Sequence, residues 1–381
     1  MLNAINDKPI RAILAPGRVN LLGEHVDYNG GIVLPAAIDR YVRLDFRELA
    51  EPIIRLNAVD LRQHITISLE HIEEKRDTEG GLLPAFAYYP AGVAWSLMQA
   101  GLEVKGIEAV YSSSVPIGSG LSSSAAIQVA FAAAWQNLAG WEIDRMDLAL
   151  LCKQAENKYI GVQSGLMDQF ASIFGVAGHA LYLDTRNLDW KPIPLPQNTA
   201  IVIADSRVPR SLAGSAYNER RSDCEQAVKI LQQHLPGIKN LRDIGPDQFA
   251  LLAHHLPDRQ QKRARFVIEE ISRVSLAVDY LESGNAHDFG ELMFQCHEGL
   301  RDLYEVSCPE LDTLVEIAAR LPGCLGARLT GAGFGGCTVN LVLEEFVESF
   351  IDEMLRCYQQ LSGKTASVYL CHAADGAAVV G

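Results

Sequence analysis

A glycine- and serine-rich turn opens directly into an alanine-rich helix in this sequence. The turn reads Val-Pro-Ile-Gly-Ser-Gly-Leu-Ser-Ser-Ser-Ala-Ala over residues 115–126. Its glycines let the backbone turn tightly and expose amide groups, and a helix start adds unpaired N–H groups at the positive end of the helix dipole. The segment lacks the lysine of a Walker A loop, so a phosphate here would be held by backbone amides and hydroxyls. The alternative is a serine cap on an ordinary buried helix.

A polar cluster near the N-terminus, residues 15–31, is bounded by Pro-Gly and Asn-Gly-Gly turn signals. β-like runs flank the cluster at 11–14 and 32–34, which predicts a loop carried by two strands. Glu24, His25 and Asp27 supply hydrogen-bond acceptors and one switchable donor, a set that suits a polyol. Two alternatives stay open: a divalent metal at the His25-x-Asp27 pair, and a solvated surface turn.

A third glycine-rich segment, residues 329–342, contains a literal G-x-G-x-x-G. A dinucleotide-binding fingerprint needs a strand before this motif, a helix opening on it and an acidic residue about 20 positions later. Here the residues that follow the motif alternate like a strand. The pattern therefore predicts a glycine-rich hairpin between strands at 327–330 and 338–343, which disfavours a nicotinamide-dependent oxidoreductase.

Together these segments resemble the superfamily of galactokinase, homoserine kinase, mevalonate kinase and phosphomevalonate kinase, and most closely the galactokinase family. Residues 17–31 are similar to the galactokinase signature, 118–126 to the superfamily's phosphate loop and 329–337 to its third motif. The resemblance runs from about residue 15 to 378 and includes the stretches 165–170, 215–221 and 304–312. Val26 stands where the family usually has threonine, and Ala216 where glutamate is common. These departures predict weaker rejection of 2-deoxy or 2-amino sugars.

The resemblance implies an α+β fold of two domains, with mixed sheets, helices and an active site between the domains. It implies an enzyme that uses ATP and Mg²⁺ to phosphorylate D-galactose at the anomeric hydroxyl, giving galactose 1-phosphate and ADP. Two alternatives remain: a related kinase that acts on another sugar, and a non-catalytic sensor that binds galactose and ATP. The sequence keeps the Ser124-Ala125 pair of the phosphate loop together with Arg18 and Asp168, which favours the enzyme over the non-catalytic sensor.

The resemblance also assigns roles to individual residues. Asp168 is expected to accept the proton of the anomeric hydroxyl or to orient it, and Arg18 is expected to stabilise the transferred phosphoryl group. The expected sugar contacts are Glu24, His25, Asp27 and Tyr217. The expected ATP contacts are Gly118, Ser119, Gly120, Leu121, Ser122, Ser123 and Ser124, and the expected magnesium ligands are Ser124 and Glu156.

For Glu156 and Asp168, a purely structural role is the alternative to the role that the resemblance implies. Glu156 lies near Lys153 and Lys158 on a predicted helix, where a solvated surface charge is common. Asp168 is flanked by Leu166, Met167 and Phe170, so its surroundings are expected to be partly dry. A structural cap is the alternative role for Asp168.

Composition limits the partners of this chain. Its net charge of −14 over 381 residues argues against nucleic acid or an anionic membrane, and no apolar run approaches the roughly 20 residues of a membrane span. Residues 1–13 show no signal-peptide core, and eight cysteines without a C-x-x-C pair favour buried thiols in a reducing cytoplasm. Galactose and ATP are the expected partners, and the expected state is a monomer or a weak homo-oligomer.

The order of predicted elements divides the chain in two. Short strands dominate residues 8–70, and helices at about 215–235, 260–282, 285–304 and 309–321 dominate the second half. A helix over 144–159 is predicted with Asp144 as its N-cap and Gly161 just past its end. Prolines at 192, 194 and 196 mark the best linker, so the predicted domains are a sugar- and phosphate-binding domain over 1–195 and a C-terminal α+β domain over 196–381.

Overall fold

The fold contains two β-sheets. The computed structural model describes residues 8–116, 118–209 and 213–380, without the side chains of 213–215. Ile117, the Ser215 side chain and residues 1–7, which belong to the segments discussed above, lie outside the described residues. The strands are β1 (Arg11–Leu22), β2 (Ile32–Leu49), β3 (Ile53–Ala58), β4 (Gln63–Ser68), β5 (Gly106–Ser113), β6 (His179–Asp184), β7 (Trp190–Pro194), β8 (Thr199–Asp205), β9 (Cys324–Thr330), β10 (Cys337–Leu343), β11 (Ser367–Cys371) and β12 (Ala378–Val380).

Helices cover both sheets and supply most of the connections. They are α1 (Tyr88–Gln99), α2 (Ser123–Ala139), α3 (Arg145–Gln154), α4 (Met167–Phe174), α5 (Ala213–Leu231), α6 (Pro246–Leu252), α7 (Asp258–Glu282), α8 (Ala286–Asp302), α9 (Pro309–Ala318) and α10 (Val347–Ser362). Helices α2 and α4 pack on β1 and β2, whereas α8 and α9 pack on β9. Helix α7 contacts β1, β2 and β7 as well as α5 and α8, so it joins the two halves.

The strands form two separate sheets, and the last strand of the chain pairs in the first sheet. The first sheet runs β12-β1-β2-β5-β3-β4, with β6 paired to β2 and β7 to β6. The second runs β11-β8-β10-β9. The β3–β5 pair is parallel, whereas the other strand pairs between described residues are antiparallel. The sheets divide between β7 and β8, near residue 196, while β12 returns to the first sheet. The division into domains 1–195 and 196–381 stays a prediction.

The alanines that follow the glycine-serine turn allow helix α2 to pack closely on the first sheet. Its alanines at 125, 126, 130, 132 and 134 are buried against the first sheet. Small side chains allow a helix axis to approach a sheet closely, and alanine is the best helix former. The result is a helix that packs across β1 and β2 of the first sheet.

The prediction of a loop over residues 15–31 is wrong for its first half. Residues 15–22 belong to β1, which pairs with β2 from Arg11 to Leu22. The Pro16-Gly17 pair that signals a turn is instead a bulge, because the β1–β2 register shifts between Pro16 and Arg18. Proline and glycine are tolerated in strands at such bulges, and the bulge places Arg18 on a rigid strand.

The predicted helix over 144–159 is only partly regular. Asp144 is the N-cap, as predicted, and its carboxylate accepts a hydrogen bond from the Met146 amide at 2.7 Å. Helix α3 then widens into a π-helical turn over Ala155–Ile160, which ends at Gly161 with φ of +95°. π-turns within helices are frequent at functional sites, and this one carries Glu156.

The predicted glycine-rich hairpin is confirmed. Strands β9 and β10 pair antiparallel, with Thr330 opposite Cys337, and the G-x-G-x-x-G residues form the connection between them. No helix opens on this motif, so the structural context of a dinucleotide fingerprint is absent from this described segment.

Candidate active site

A cavity of about 890 Å³ lies where both halves of the chain meet. Six carboxylates and two arginines from the described residues line this cavity. The first half supplies most of the lining, including the predicted phosphate loop and residues after β1. The second half contributes residues from β8 and the segment after it, from α5 and from the glycine hairpin. The polar and charged lining groups are Arg18, Glu24, His25, Asp27, Asp60, Ser113, Ser122, Ser123, Ser124, Glu156, Ser164, Asp168, Asp205, Arg207 and Tyr217, with Tyr89 and Tyr111.

Arg18 and Asp168 form an ion pair inside this cavity. The Nε and Nη2 groups of Arg18 donate to Oδ1 of Asp168 at 2.9 and 2.8 Å. Nη1 of Arg18 donates to the Gly120 carbonyl at 2.6 Å, so one guanidinium joins the carboxylate to the glycine-serine turn. The Ser122 hydroxyl donates to Oδ2 of Asp168. A carboxylate has about four acceptor positions, and these three bonds leave about one for a substrate hydroxyl.

The glycine-serine turn approaches β1 so closely that a side chain would not fit. The Arg18 amide donates to the Leu121 carbonyl at 3.0 Å, and a Cβ on Gly17 would lie 2.7 Å from that same oxygen. Positive φ angles at Gly118, Gly120 and Ser122 curl the turn toward the cavity. Successive amides in such a conformation make an anion-binding concavity.

The residues of the predicted ATP-binding set differ in how they face the cavity, and their contacts with ATP stay a prediction. The side chains of Ser119 and Leu121 are buried and do not line the cavity, whereas Gly118, Gly120, Ser122, Ser123 and Ser124 do. Only the backbone of Ser119 and Leu121 can therefore face a phosphate. Ser122 occupies the N-cap position of α2 but makes no capping hydrogen bond, because its hydroxyl is used by Asp168.

Glu156 is buried in the cavity wall and is not a surface charge on a helix. Its Oε2 accepts hydrogen bonds from the Ser164 hydroxyl at 2.6 Å and from Nε2 of Gln169 at 2.7 Å. Burial raises the pKa of Glu156, and the charge of Asp168 raises it further. A nearby cation would reverse both effects, because it stabilises the carboxylate.

Ser124 and Glu156 together fit a magnesium ion that is completed by phosphate oxygens. Both residues line the cavity and both offer oxygen donors, and Mg²⁺ is usually held by one or two protein oxygens together with substrate phosphates and water. In the part of the chain that the structure describes, no group of three or more His, Cys, Asp and Glu side chains could hold a metal alone. The His25-x-Asp27 pair therefore lacks a third ligand among the described residues.

The four predicted sugar-contacting residues come together at one end of the cavity. Glu24, His25, Asp27 and Tyr217 all line it, and the rings of His25 and Tyr217 lie 5.4 Å apart. His25 adopts a left-handed backbone conformation, φ +61°, which is unusual for a residue other than glycine. Burial lowers the pKa of His25 to about 3, so its imidazole is neutral at physiological pH.

A buried ion pair with a residue of the second sheet fixes the Glu24 side chain. Arg328 on β9 is fully buried, and its Nη2 donates to Oε2 of Glu24. The Asn20 side chain donates to the same oxygen at 3.2 Å, and the Gly23 amide donates to the buried carboxylate of Glu270 at 2.7 Å. Removing one partner of such a buried pair leaves an uncompensated charge. The segment 23–27, which carries the predicted sugar contacts, is therefore fixed by residues of both halves.

Asp27 lies against the chain segment that precedes α4. A Cβ on Gly165 would come within 1.7 Å of Oδ2 of Asp27, so only glycine permits this approach. Burial raises the pKa of Asp27 to about 7, and the charges of Asp168 and Glu24 add to this increase. Asp168 therefore lies within electrostatic reach of both Asp27 and Glu156.

The two departures from the family pattern do not reach the cavity. Val26 is fully buried and packs against Gly31. Neither Val26 nor Ala216 is among the residues that line the cavity in the described chain. The sequence-based expectation of a more permissive sugar site is therefore not supported by the positions of these residues.

Sequence reasoning missed an apolar end of the cavity. Phe86, Tyr89 and Tyr111 line it together with Leu61 and Val162. Burial raises the pKa of Tyr89, with a smaller increase from the charge of Glu156, which places this end beside the predicted magnesium residue. The only sequence signal was a set of aromatic residues in a predicted helix and strand, and such residues are usually core residues.

The stretch 304–312 supports the glycine hairpin without lining the cavity. The Phe334 amide donates to the Val306 carbonyl at 2.7 Å. The Arg220 guanidinium donates to the Tyr304 and Glu305 carbonyls at 2.7 and 2.8 Å and lies over the Phe334 ring. The hairpin that carries Ala332 into the cavity is thus held by α5 and by the segment after α8.

All eight cysteines lie among the described residues as thiols outside disulfides, and five of them are buried. Among the described residues, every helix is too short or too polar to cross a bilayer.

Comparison with known proteins agrees with this geometry. Three family models match the chain: the galactokinase galactose-binding signature over residues 3–46, and the N-terminal and C-terminal domains of GHMP kinases over 88–176 and 277–359. The chain is 46% identical over 364 residues to the galactokinase of Roseiflexus sp. (strain RS-1), covering 96% of this chain and 91% of that protein.

Two further relatives are similar along nearly their whole length. The galactokinase of Chloroflexus aggregans (strain MD-66 / DSM 9485) is 42% identical over 372 residues, covering 98% of this chain and 94% of that protein. The crystal structure of Lactococcus lactis galactokinase complexed with galactose superposes with a TM-score of 0.92 at 35% identity, covering 98% of this chain and 96% of that one. These comparisons confirm both the resemblance stated from the sequence and the α+β kinase fold.

Proposed function

This chain belongs to the galactokinase family and is an enzyme that phosphorylates galactose with ATP, and we propose that it transfers the γ-phosphoryl group to the anomeric hydroxyl of D-galactose. The observation that carries the proposal is the Arg18–Asp168–Ser122 cluster. It joins strand β1 and the N-terminal end of α4 to the predicted phosphate loop before α2. A sugar hydroxyl on Asp168 and a phosphate on the loop would be held next to each other, as phosphoryl transfer requires.

Asp168 acts on the sugar. Since about one acceptor position of its carboxylate remains after the bonds to Arg18 and Ser122, the anomeric hydroxyl donates its proton there and its oxygen is aimed at the phosphate loop. The transition state of phosphoryl transfer is loose, so positioning and electrostatic stabilisation contribute most of the rate. Arg18 holds Asp168 in place and supplies positive charge beside the transferred group.

The phosphates are held by amides and hydroxyls of residues 118–124 at the start of α2. Six carboxylates against two arginines in the described lining would repel a triphosphate, so a divalent cation is needed. Ser124 and Glu156 would hold the magnesium ion. When bound, Mg²⁺ neutralises charge that develops on the phosphate oxygens. We assign the apolar end formed by Phe86, Tyr89 and Tyr111 to the adenine base.

The sugar ring is read by polar groups that are already positioned. Glu24, His25, Asp27 and Tyr217 present acceptors and donors to the ring hydroxyls. A site built from fixed polar groups rejects an analogue that leaves them unpaired. We propose that the reaction takes place in the cytoplasm.

A panel assay tests the substrate. Purified protein, ATP and Mg²⁺ are incubated with galactose, glucose, 2-deoxygalactose, homoserine or mevalonate, and ADP release is measured. We expect galactose to give the highest kcat/KM. Galactose binding by calorimetry without ADP release would indicate the sensor, and a higher kcat/KM for another acceptor would indicate a different kinase.

Replacing Asp27 by asparagine removes a carboxylate whose pKa is raised to about 7. In the wild type this carboxyl is mostly protonated near pH 6 and mostly ionised near pH 8, and hydrogen bonds to an ionised acceptor are stronger. We expect galactose affinity, measured by calorimetry, to rise across this range. In Asp27→Asn we expect affinity about tenfold weaker near pH 8, little pH dependence and unchanged binding of an ATP analogue. The same pH dependence in the variant would assign the titration to another group.

Replacing Glu156 by glutamine removes the predicted magnesium carboxylate but keeps its shape. We expect the Mg²⁺ concentration for half-maximal rate to rise by about tenfold or more, since even residues behind a metal ligand cost about 10–100-fold. Binding of Mn²⁺ with a non-hydrolysable ATP analogue, followed by electron paramagnetic resonance, should weaken in parallel. The control is Glu142→Gln at an exposed position. An unchanged metal requirement in Glu156→Gln would remove Glu156 from the metal site.

The buried position of Val26 gives a prediction opposite to the one from sequence alone. We expect Val26→Thr to leave the kcat/KM ratio for galactose over 2-deoxygalactose unchanged, because the side chain does not line the cavity. It should lower stability by about 1–3 kcal/mol if the buried hydroxyl finds no partner, measured by denaturant unfolding. A sharper ratio would show that residue 26 reaches the sugar.

A further inference from the structure

A chain of hydrogen bonds runs behind the sugar-binding residues, away from the cavity. Nδ1 of His25 lies 3.0 Å from the Tyr28 hydroxyl. The Tyr28 hydroxyl lies 2.7 Å from the Tyr304 hydroxyl, and Sγ of Cys224 lies 3.3 Å from the same Tyr304 oxygen. On its other side, Nε2 of His25 lies 3.3 Å from the Ala332 carbonyl. Four separate segments of the chain thus meet through one set of polar atoms.

Donor counting fixes the direction of this chain. The Ala332 carbonyl can only accept, so Nε2 of His25 carries the proton. A neutral imidazole has one N–H, so Nδ1 accepts and the Tyr28 hydroxyl donates to it. Tyr28 has then used its only proton and must accept from Tyr304. Tyr304 has in turn used its own proton and accepts from the Cys224 thiol. Each group therefore has one role.

The groups behind His25 do not line the cavity, and those furthest from it are buried. Tyr304 and Cys224 are buried, and neither they nor Tyr28 are among the described residues that line the cavity. The Tyr304 ring packs 4.9 Å from the His25 ring and 4.8 Å from Phe266. Buried hydroxyls in such surroundings keep their partners, because an unpaired one is costly.

The cavity side of His25 is less tightly bound. Its Nε2–H to Ala332 distance of 3.3 Å is longer than the usual 2.7–3.2 Å range for N–H to oxygen bonds. Both residues line the cavity. A sugar oxygen that enters there can share or take over the Nε2–H donor, but it cannot donate to that nitrogen.

We propose that Tyr28 and Tyr304 are positioning residues that hold His25 as a one-directional donor toward the sugar, a role that rests on the proposed function. They act through His25 and do not contact the substrate. The hydrogen-bond chain fixes the tautomer and the ring orientation before the sugar arrives, so the sugar does not have to select them. This lowers the free energy spent on ordering during binding.

The kinetic test compares Tyr28→Phe and Tyr304→Phe with a matched control. Tyr358→Phe removes a hydroxyl on a side chain as buried as Tyr304, which donates to the Ser206 carbonyl at 3.0 Å and packs among apolar residues of the second sheet, α9 and α10. We expect the galactose KM to rise about tenfold in either test variant, the effect of one buried hydrogen bond. The ATP KM and kcat should stay within about threefold. Tyr358→Phe should lower thermal stability with wild-type KM values. Tyr28→Phe serves as the test variant if Tyr304→Phe does not fold.

The spectroscopic test reads the tautomer in the free protein and needs no activity. In protein with ¹⁵N-labelled histidine, the His25 signals are identified by their loss in His25→Gln. We expect a protonated Nε2 and an unprotonated Nδ1 in the wild type, and a changed Nδ1 signal in Tyr28→Phe. A protonated Nδ1 in the wild type overturns the proposal, as do wild-type galactose KM values in both tyrosine variants. If the expected tautomer is seen but galactose is not phosphorylated, the proposed function fails while the hydrogen-bond chain stands.

Discussion

Asp168→Asn should lower kcat by about 10²–10⁴, the range for loss of a positioned proton acceptor, with little change in ATP affinity. The variant should fold normally. Its amide oxygen can accept from Arg18 as the carboxylate does, and its amide nitrogen can donate to the Ser122 hydroxyl in place of the present bond. The loss then reports on the acceptor position that faces the sugar hydroxyl. Single-turnover kinetics and calorimetry with an ATP analogue measure the two quantities.

The exposed residue Asp189 provides the control for this substitution. Its side chain accepts from Asn187 on the surface, away from the cavity lining, so Asp189→Asn should keep wild-type kcat. Activity of Asp168→Asn within a few-fold of wild type would exclude Asp168 from the mechanism. A loss of ATP affinity of the same size as the loss of kcat would place Asp168 at the phosphates.

Arg18→Met should lower kcat by about 10²–10³, as the loss of one preorganised electrostatic donor does. The guanidinium contacts Asp168 and the Gly120 carbonyl at once, and methionine keeps only its packing. Arg18→Lys should recover part of the rate, because an ammonium group cannot reproduce a planar fork that serves both partners. Steady-state kinetics with both substrates separates kcat from the two KM values.

Arg43→Met is the matched control, since Arg43 makes a similar two-nitrogen pair with Asp45 at the surface. It should leave kcat unchanged. Full recovery by Arg18→Lys would show that positive charge alone is required and that the forked geometry has no role.

Local motifs could be predicted from the sequence because their chemistry lies in neighbouring residues. Glycines with positive φ and a helix start shape the predicted phosphate loop within residues 118–124, and Glu24, His25 and Asp27 reach the cavity from a single short segment. The glycine hairpin was likewise predicted correctly, because alternation after the motif excludes a helix.

Long-range partners could not be predicted in this way. Arg18 and Asp168 are 150 positions apart, and Glu24 and Arg328 are 304 apart, so no spacing rule relates them. The resemblance gave Arg18 and Asp168 separate roles, but it did not assign the Ser122 hydroxyl to Asp168 or Arg328 to Glu24. Both are side chains whose role depends on what the fold brings beside them.

The bulge in β1 shows how tertiary context changes a local signal. Pro16-Gly17 reads as a turn, yet Gly17 is needed because the Leu121 carbonyl approaches its backbone closely. Arg18 follows this bulge on strand β1 and pairs with β2. Its amide donates to the Leu121 carbonyl and its guanidinium to the Gly120 carbonyl, so the predicted phosphate loop also fixes its orientation. A flexible loop would hold the guanidinium less rigidly.

The position of the phosphate in the product tests the central claim most directly. Galactose labelled with ¹³C at carbon 1 is incubated with the enzyme, ATP and Mg²⁺, and the product is followed by ³¹P and ¹³C NMR. If Asp168 presents the anomeric hydroxyl to the γ-phosphate, the labelled carbon must show coupling to phosphorus as ADP accumulates. A phosphate on another hydroxyl, or ADP release without a sugar phosphate, would contradict the account.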